Sequence, residues 1–459
     1  MQLTVRDILT ATGGTLLSGS PQTVLTSVET DSRLLQAGGL FVPIPGAHVD
    51  PHQYIPQVFA NGAAASLTQQ LAGSVAEPHC LIAVPDTQAA LQQFAAAYRS
   101  RFSLPLIGVT GSVGKTSARE MLALALSAEK NVMQTQGNSN SQVGLPLTMF
   151  RLESTHTAAV IEMGISQFGE MERLTTVARP DFAVITNIGI AHIAQLHTQR
   201  NILAEKLKIT NAFHKGSVLF LNGDDSLLAD LRHHTNFPLV YYGTQPFCDF
   251  SASHICTHGQ ATTFTAHTPQ KTLPVTLPVL GTHNVNNALA ALAVAHTLGL
   301  DLTKAAARMA HYKPPKMRQT LHHANGLTII DDTYNASPDS VKSGLNVLCS
   351  LTGTGKKIAV LADMLELGQI AEQAHFQTGQ AAATTGIDAL VTVGTLAAEI
   401  AKGALQINPQ LSVVQCQTNA EAIAALHTLL SPGDAILVKG SRGMQADEIV
   451  AALCAPHAT

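Results

Sequence analysis

Leu106-Ile107-Gly108-Val109-Thr110-Gly111-Ser112-Val113-Gly114-Lys115-Thr116-Ser117 reads as an apolar strand that runs into a glycine-rich turn and then opens a helix. Such a turn lets main-chain N–H groups wrap an anion, and a helix N-terminus adds about half a positive charge. Lys115 supplies a mobile cation for β- and γ-phosphates, and the Thr116 hydroxyl suits Mg²⁺. Val109 stands where the strict GxxxxGK[ST] pattern has its first glycine. A glycine-rich turn beside a surface lysine would not require strand, loop, GKT and helix in this order. Thr110, Gly111, Ser112, Val113, Gly114, Lys115, Thr116 and Ser117 are therefore candidate nucleotide contacts.

Around this loop the chain alternates between strands and helices. Apolar strands are expected at Leu106–Thr110, Ala158–Met163, Phe182–Asn187 and Val218–Leu221, with helices at Asn284–Leu298 and Leu302–Ala310. That alternation marks a parallel sheet covered on both faces. It stops at Lys313-Pro314-Pro315, because two prolines cannot continue a helix. It resumes with strands near Leu327–Asp331, Ile358–Ala362, Ala389–Val393 and Ala435–Val438. Before the loop lie short strand pieces (Leu40–Val42, Leu81–Val84), a helix over Thr87–Tyr98 and the basic RSRFSLP at 99–105.

The reading is α/β with three domains: a small N-terminal α/β domain at 1–104, a central P-loop parallel-sheet domain at 105–314, and a C-terminal Rossmann-like domain at 315–459. Division of 459 residues by about 150 per domain agrees. In the last two domains the strands end in polar or glycine residues, which is where open parallel sheets bind ligands, so a cleft between domains is implied.

Composition narrows the class. Hydrophobic residues make up 46% and charged residues 13%, which excludes a disordered chain. The most apolar run, Ala288–Ala295, is far short of the roughly 20 residues of a spanning helix, and Asp7 interrupts any signal-peptide core. Net charge is −4 with no basic block, so no nucleic-acid footprint is present. Six scattered cysteines without a CxxC pair suit a reducing, cytoplasmic compartment.

Glu162 ends a strand, where a carboxylate can complete a Mg²⁺ shell, and otherwise reads as a solvated strand end. His192 leaves another strand, and Lys206 follows on a helix; alone, they read as a loop histidine and a solvated lysine. With the motifs around them, the chain resembles the Mur ligases. TGSVGKT resembles their TGTxGKT loop. Gly137–Pro146 is similar to GNxNNxxGxP, Gly281–Ala288 to GxHNxxNA, and Asp331–Pro338 to DDSYNANP. Leu361–Gly368 resembles LGDMLELG, and Lys439–Arg442 resembles KGSR. With Asp31-Ser32-Arg33, the DDxYNAxP and DMxELG signatures point to the branch that extends a UDP-muramoyl tripeptide.

The resemblance implies an ATP-dependent ligase joining D-alanyl-D-alanine to UDP-N-acetylmuramoyl-tripeptide through an acyl phosphate, in peptidoglycan synthesis. It implies ATP and two Mg²⁺ ions. Lys115, His192 and Lys206 would serve catalysis, Lys206 being carbamylated in several relatives. Thr116, Glu162 and His192 would hold metal, while Asn187, Asn287, Arg318, Asp332 and Asn335 would hold nucleotide, with Tyr334 nearby. Thr30, Asp31, Ser32, Arg33, Asn138 and Asn140 would contact the muramoyl substrate. A cytoplasmic monomer without nucleic acid or membrane insertion is expected. Departures from the family pattern are Lys208 for Glu, Ser337 for Asn, Ala362 for Gly, and Asp447 near the expected Met-Glu.

Two alternatives compete. A ligase adding a diamino acid to the dipeptide would carry a DNPR segment, which is absent. A P-loop binding protein without ligase activity would need only the loop. Cys248, His254, Cys256 and His258 meet no zinc spacing, and Gly353–Lys357 precedes its strand and reads as a turn.

Overall fold

The computed structural model describes residues 3–46, 48–70, 79–233 and 237–456, which gather into two compact units. One comprises Met1–Thr110, Glu129–Val184 and Glu205–Leu219; the other comprises Gly111–Ala128, Ile185–Ala204 and Phe220–Thr459.

In the first unit, a five-stranded sheet has the order Thr15–Ser18, Cys80–Ala83, Ala65–Thr68, Leu40–Phe41, Val28–Glu29. Its first pair is antiparallel and the others are parallel. The helix Thr87–Arg99 forms as its spacing predicts. Asp86 caps it by accepting from Ala89 N at 2.9 Å, and Ala90, Leu91, Phe94 and Tyr98 are buried along it. The basic segment that follows is anchored: Arg99 is 7% exposed, with Nε donating to the Ala178 carbonyl at 3.1 Å and Nη1 to the Phe102 carbonyl at 2.6 Å. Leu106–Thr110, Ala158–Glu162 and Val132–Gln134 pair in parallel, with Glu162 opposite Val109. All of 106–110 and 158–162 is buried, as two-face coverage requires.

In the second unit, Thr282–Thr297 is a helix with Ala288–Ala295 fully buried, packed on the helix Lys115–Leu126. Here the expectation of parallel strands alone is incomplete. Phe250–His258, Ala261–His267 and Thr272–Leu277 form an antiparallel meander. Residues 261–267 and 272–277 alternate between buried and more exposed positions, so they carry none of the continuous apolar runs that mark buried parallel strands. A register shift between Ser253 and Cys256, with His254 at φ 52°, interrupts the pairing of the strand Phe250–His258.

The same unit holds a six-stranded sheet in the order Thr320–Ala324, Leu327–Asp332, Ala435–Lys439, Lys357–Ala362, Ala389–Val393, Ser412–Cys416. Only the first pair is antiparallel. Ile330, Leu361 and Leu437 face one apolar cluster, while Ile329, Val360 and Val438 face another, as the two-residue period of strands demands. The Gly353–Lys357 segment is a bend leading into the strand Lys357–Ala362, and Asp434 Oδ1 accepts from Lys356 N at 2.7 Å and Asp388 Oδ2 from Lys357 N at 2.7 Å. The fold is α/β with mostly parallel sheets. Among the described residues, no helix is long and apolar enough to cross a membrane.

Candidate active site

The loop after Leu106–Thr110 is shaped by its glycines. Gly111 has φ 150°, and a Cβ there would lie 1.9 Å from Thr186 Oγ1; Gly114 has φ 81° at the start of the helix Lys115–Leu126. Thr186 Oγ1 donates to the Val113 carbonyl at 2.6 Å. Asn187 Oδ1 accepts from Ser112 N at 3.1 Å and from Val113 N at 2.8 Å. Asn187, expected at the nucleotide, thus braces the loop with its carboxamide oxygen. Lys115 Nζ donates to the carbonyls of Gly111 at 2.9 Å and Ser112 at 3.4 Å, so the ammonium is held over the loop. The first intrahelical bond runs from Ala118 N to the Gly114 carbonyl. The N–H groups of residues 114–117 precede it, and this is the arrangement that suits a phosphate.

In the same unit, the ends of two parallel strands place Asp332 opposite Lys439. Lys439 Nζ donates to Asp332 Oδ2 at 2.6 Å and to the Asn335 carbonyl at 3.0 Å. Burial pushes the Asp332 carboxyl above its ordinary range, against the pull of Lys439 and Arg318. Arg318 lies over the Tyr334 ring at 3.9 Å, between Met317 (φ 63°) and Gln319 (φ 55°), both left-handed. Strain of this kind gathers at functional sites. Asn335 Oδ1 accepts from Ala336 N at 2.9 Å, and Asn287 Nδ2 reaches Asn284 Oδ1 at 3.5 Å.

His283 joins this group. Burial, helped by the charge of Lys439, holds its imidazole down at about 4 from an ordinary 6.5. Between those values the unfolded chain binds more protons than the fold. Stability therefore rises with pH across that window and is lost as pH falls through it, by on the order of 3 kcal/mol. His283→Gln is expected to flatten the stability curve between pH 4 and 7, measured as urea midpoints. An unchanged slope would show that His283 does not titrate differently in the fold.

His192, at φ 60°, starts the short helix Ile193–Leu196, and its Nδ1 lies 2.9 Å from Glu366 Oε2. The loop bearing Glu366 is tied down by Ala397 N donating to Asp363 Oδ1 at 2.6 Å and Leu365 N donating to Ser441 Oγ at 2.9 Å.

In the first unit, Glu162 is 1% exposed, and its Oε1 accepts from Asn140 Nδ2 at 2.7 Å. Asn140 Nδ2 also donates to Asn138 Oδ1 at 3.1 Å, and Glu162 N donates to Thr135 Oγ1 at 2.9 Å. Asn138 and Asn140, expected at substrate, thus form a support for the carboxylate. Lys206 is 2% exposed; beside it in sequence, the buried Glu205 pairs with Lys208 at 2.7 Å. That pair gives the departure at Lys208 a physical role, the compensation of a buried carboxylate. Arg33 grips Asp31 through Nε at 2.9 Å and Nη2 at 2.6 Å and holds its carboxyl down at about 2. Thr30 and Ser32 are half-buried on either side of Asp31.

Three family profiles cover most of the chain: the Mur ligase family catalytic domain over residues 24–99, the Mur ligase middle domain over 109–295, and the Mur ligase glutamate ligase domain over 317–442. The UDP-N-acetylmuramoyl-tripeptide–D-alanyl-D-alanine ligase of Bacillus subtilis (strain 168) is 38% identical over 97% of each chain. The chain belongs to the Mur ligase family.

Solved Mur ligases share its fold along its length. MurF from Acinetobacter baumannii matches with a TM-score of 0.92 and 30% identity over 99% of each chain. MurF ligase from Thermotoga maritima in complex with ADP matches with a TM-score of 0.83 and 25% identity, over 93% of this chain and 96% of that one. Within the second unit of this Mur ligase, the phosphate loop, Asn187, His192, Asn287, Arg318, Asp332 and Asn335 are all present, while Glu162, Asn138, Asn140, Lys206 and Thr30–Arg33 belong to the first. Residue reasoning quoted Lys439 and His283 only as parts of motifs and gave them no role. The missing signal was the burial of Lys439, whose charge acts on the neighbouring half-buried His283. Glu366 was likewise only a letter in a motif.

Proposed function

We propose that this chain is the ATP-dependent ligase that joins D-alanyl-D-alanine to UDP-N-acetylmuramoyl-tripeptide, giving the pentapeptide precursor of peptidoglycan. The observation that carries this reading is the presence, in one compact unit, of the phosphate loop and the Arg318–Asp332–Lys439 group, in a chain similar throughout its length to ligases of that name. The loop alone would suit any nucleotide-binding protein.

The tripeptide carboxylate attacks the γ-phosphorus of ATP, and the bond to the β,γ-bridging oxygen breaks to release ADP. The amine of D-alanyl-D-alanine then attacks the acyl carbon, phosphate leaves, and the nitrogen loses a proton. Two anions meet in the first step, so neutralisation dominates catalysis. Lys115 supplies one positive charge, released from the Gly111 and Ser112 carbonyls when phosphate replaces them. Arg318, Asp332, Asn287 and Asn335 hold the nucleotide from the other side, and Asn187 keeps the loop in shape.

Glu162 suits magnesium: its carboxylate offers hard oxygens, and Asn140 fixes it in one orientation. Thr116, Glu162 and His192 would each serve as a magnesium ligand. Bound magnesium supplies charge neutralisation at the phosphates. Lys206, buried in the first unit, would turn from a cation into an anion by carbamylation, the charge that suits a residue serving magnesium.

In this reading residues 1–104 bind the uridine nucleotide through Thr30, Asp31, Ser32 and Arg33. Residues 105–314 bind ATP, and 315–459 close over it and receive the dipeptide, pivoting near Lys313-Pro314-Pro315. The enzyme works as a cytoplasmic monomer, where ATP and UDP-linked precursors reside. ADP release in the presence of the muramoyl tripeptide is expected to depend on added D-alanyl-D-alanine, with a pentapeptide product by mass spectrometry. ATP hydrolysis indifferent to any amine would sink the ligase reading. A panel of lysine- and diaminopimelate-containing tripeptides then identifies the third residue accepted.

A further inference from the structure

The segment 189–194 meets residues 339–368 at three positions and packs on the apolar cluster beside them at a fourth. A Cβ on Gly189 would lie 2.3 Å from Asp339 Oδ2. Ile190 packs on the apolar cluster that includes Leu345 and Leu361. His192 Nδ1 is 2.9 Å from Glu366 Oε2. At Gly368, a Cβ would come within 2.9 Å of the Ala194 Cβ. The two glycines permit an approach that any side chain would block.

Both members of the His192–Glu366 pair sit in left-handed backbone, at φ 60° and 65°. Non-glycine residues hold such conformations where their surroundings impose them, and these sites are commonly functional. The pair is also open to solvent, with Glu366 56% and His192 26% exposed. An exposed pair of this kind adds little stability. What it adds is orientation.

We infer that Glu366 is a positioning residue for His192: its carboxylate, 2.9 Å from Nδ1, draws the ring proton to that nitrogen, fixes the ring tautomer, and keeps the lone pair on Nε2 for a divalent cation. This rests on the ligase reading, in which His192 holds metal. Metal-binding histidines generally donate their other ring N–H to a carboxylate or carbonyl, which sets the ring and raises its basicity. Here the carboxylate comes from a different part of the fold. Asp363 and Leu365 tie the Glu366 loop to Ala397 and Ser441, at the ends of the six-stranded sheet. His192 is therefore set for metal only while that sheet is seated on 189–194. The ion is readied by the same contact that encloses the nucleotide, so an open enzyme has a poor metal site and does not waste ATP.

The test uses the full chain with Glu366→Ala and Glu366→Gln. ¹⁵N-histidine NMR at pH 8, with His192 assigned by its loss in His192→Gln, is expected to show an Nδ1–H tautomer in the wild type. Glu366→Ala should give a tautomer mixture, while Glu366→Gln, whose amide oxygen still accepts, keeps the wild-type pattern. Mn²⁺ affinity with a non-hydrolysable ATP analogue, read by EPR, should fall about 10-fold or more in Glu366→Ala. The ligation kcat should fall in parallel, with KM for D-alanyl-D-alanine and the melting temperature unchanged. An Nε2–H tautomer in the wild type, or wild-type Mn²⁺ affinity in Glu366→Ala, would overturn the proposal. Wild-type protein that shows no dipeptide-dependent ADP release sinks the ligase reading instead, and the tautomer and Mn²⁺ measurements still decide the role of Glu366.

Discussion

Lys115→Ala is expected to lower ligation by about 10³-fold or more while the UDP-muramoyl tripeptide binds as it does to the wild type. The magnitude follows from removing a cation that neutralises the γ-phosphoryl group in a water-poor site. Binding is expected to survive because Thr30, Asp31, Ser32 and Arg33 belong to the other compact unit and carry their own ion pair. Steady-state ADP release gives the first quantity and isothermal titration with the uridine substrate gives the second. Parallel loss of both would mean that Lys115 shapes the uridine site, and the division of labour between the units would be wrong. The fold is expected to be retained, which the urea midpoint of Lys115→Ala checks.

Lys439→Met is expected to have the largest effect on stability. Lys439 is 2% exposed, and its ammonium answers the buried Asp332 carboxylate at 2.6 Å. Removing one partner of a buried pair leaves a charge without compensation, which costs about 3–5 kcal/mol. Burial already raises the Asp332 carboxyl, so without Lys439 it will take up a proton at still higher pH. The loss should accordingly grow as pH rises toward 8, and the urea midpoint reads it directly. Asp332→Asn on the Lys439→Met background is expected to recover part of the midpoint, since a buried amide costs less than a buried charge. A Lys439→Met midpoint equal to that of the wild type would show that Asp332 is hydrated in solution. His283 gives an internal check. Its imidazole is held down first by burial and then by the Lys439 charge, so its pKa should move up from about 4 in Lys439→Met.

The regular elements were legible where side-chain periodicity is simple. Leu106–Thr110 and Ala389–Val393 form as strands with the expected ends, because strands buried on both faces are continuous apolar runs. The helix at 284–298 was also legible, shifted by two residues at its start and one at its end. The meander 250–277 was not, since its half-exposed, threonine-rich strands look like loops to that criterion. The strand Ser412–Cys416, with Ser412 and Gln415 exposed, was hidden for the same reason.

The chemistry divides along a similar line. By itself the sequence determined that a phosphate loop follows a buried strand, that the folded class is α/β, and that the chain is built like a Mur ligase. Those properties depend on residues close in sequence, whose spacing dictates local geometry. Tertiary structure decided which polar groups answer one another. Asn187 accepts from the N–H groups of the loop, Asn140 holds Glu162, Lys208 compensates Glu205, and Lys439 compensates Asp332. Glu366 meets His192 across 174 positions. Lys208 and Glu205 stand three residues apart, a helical spacing, but the other pairings have no sequence period. Each exists because a polar group removed from water must find a partner, and only the packed chain determines which partner is within reach.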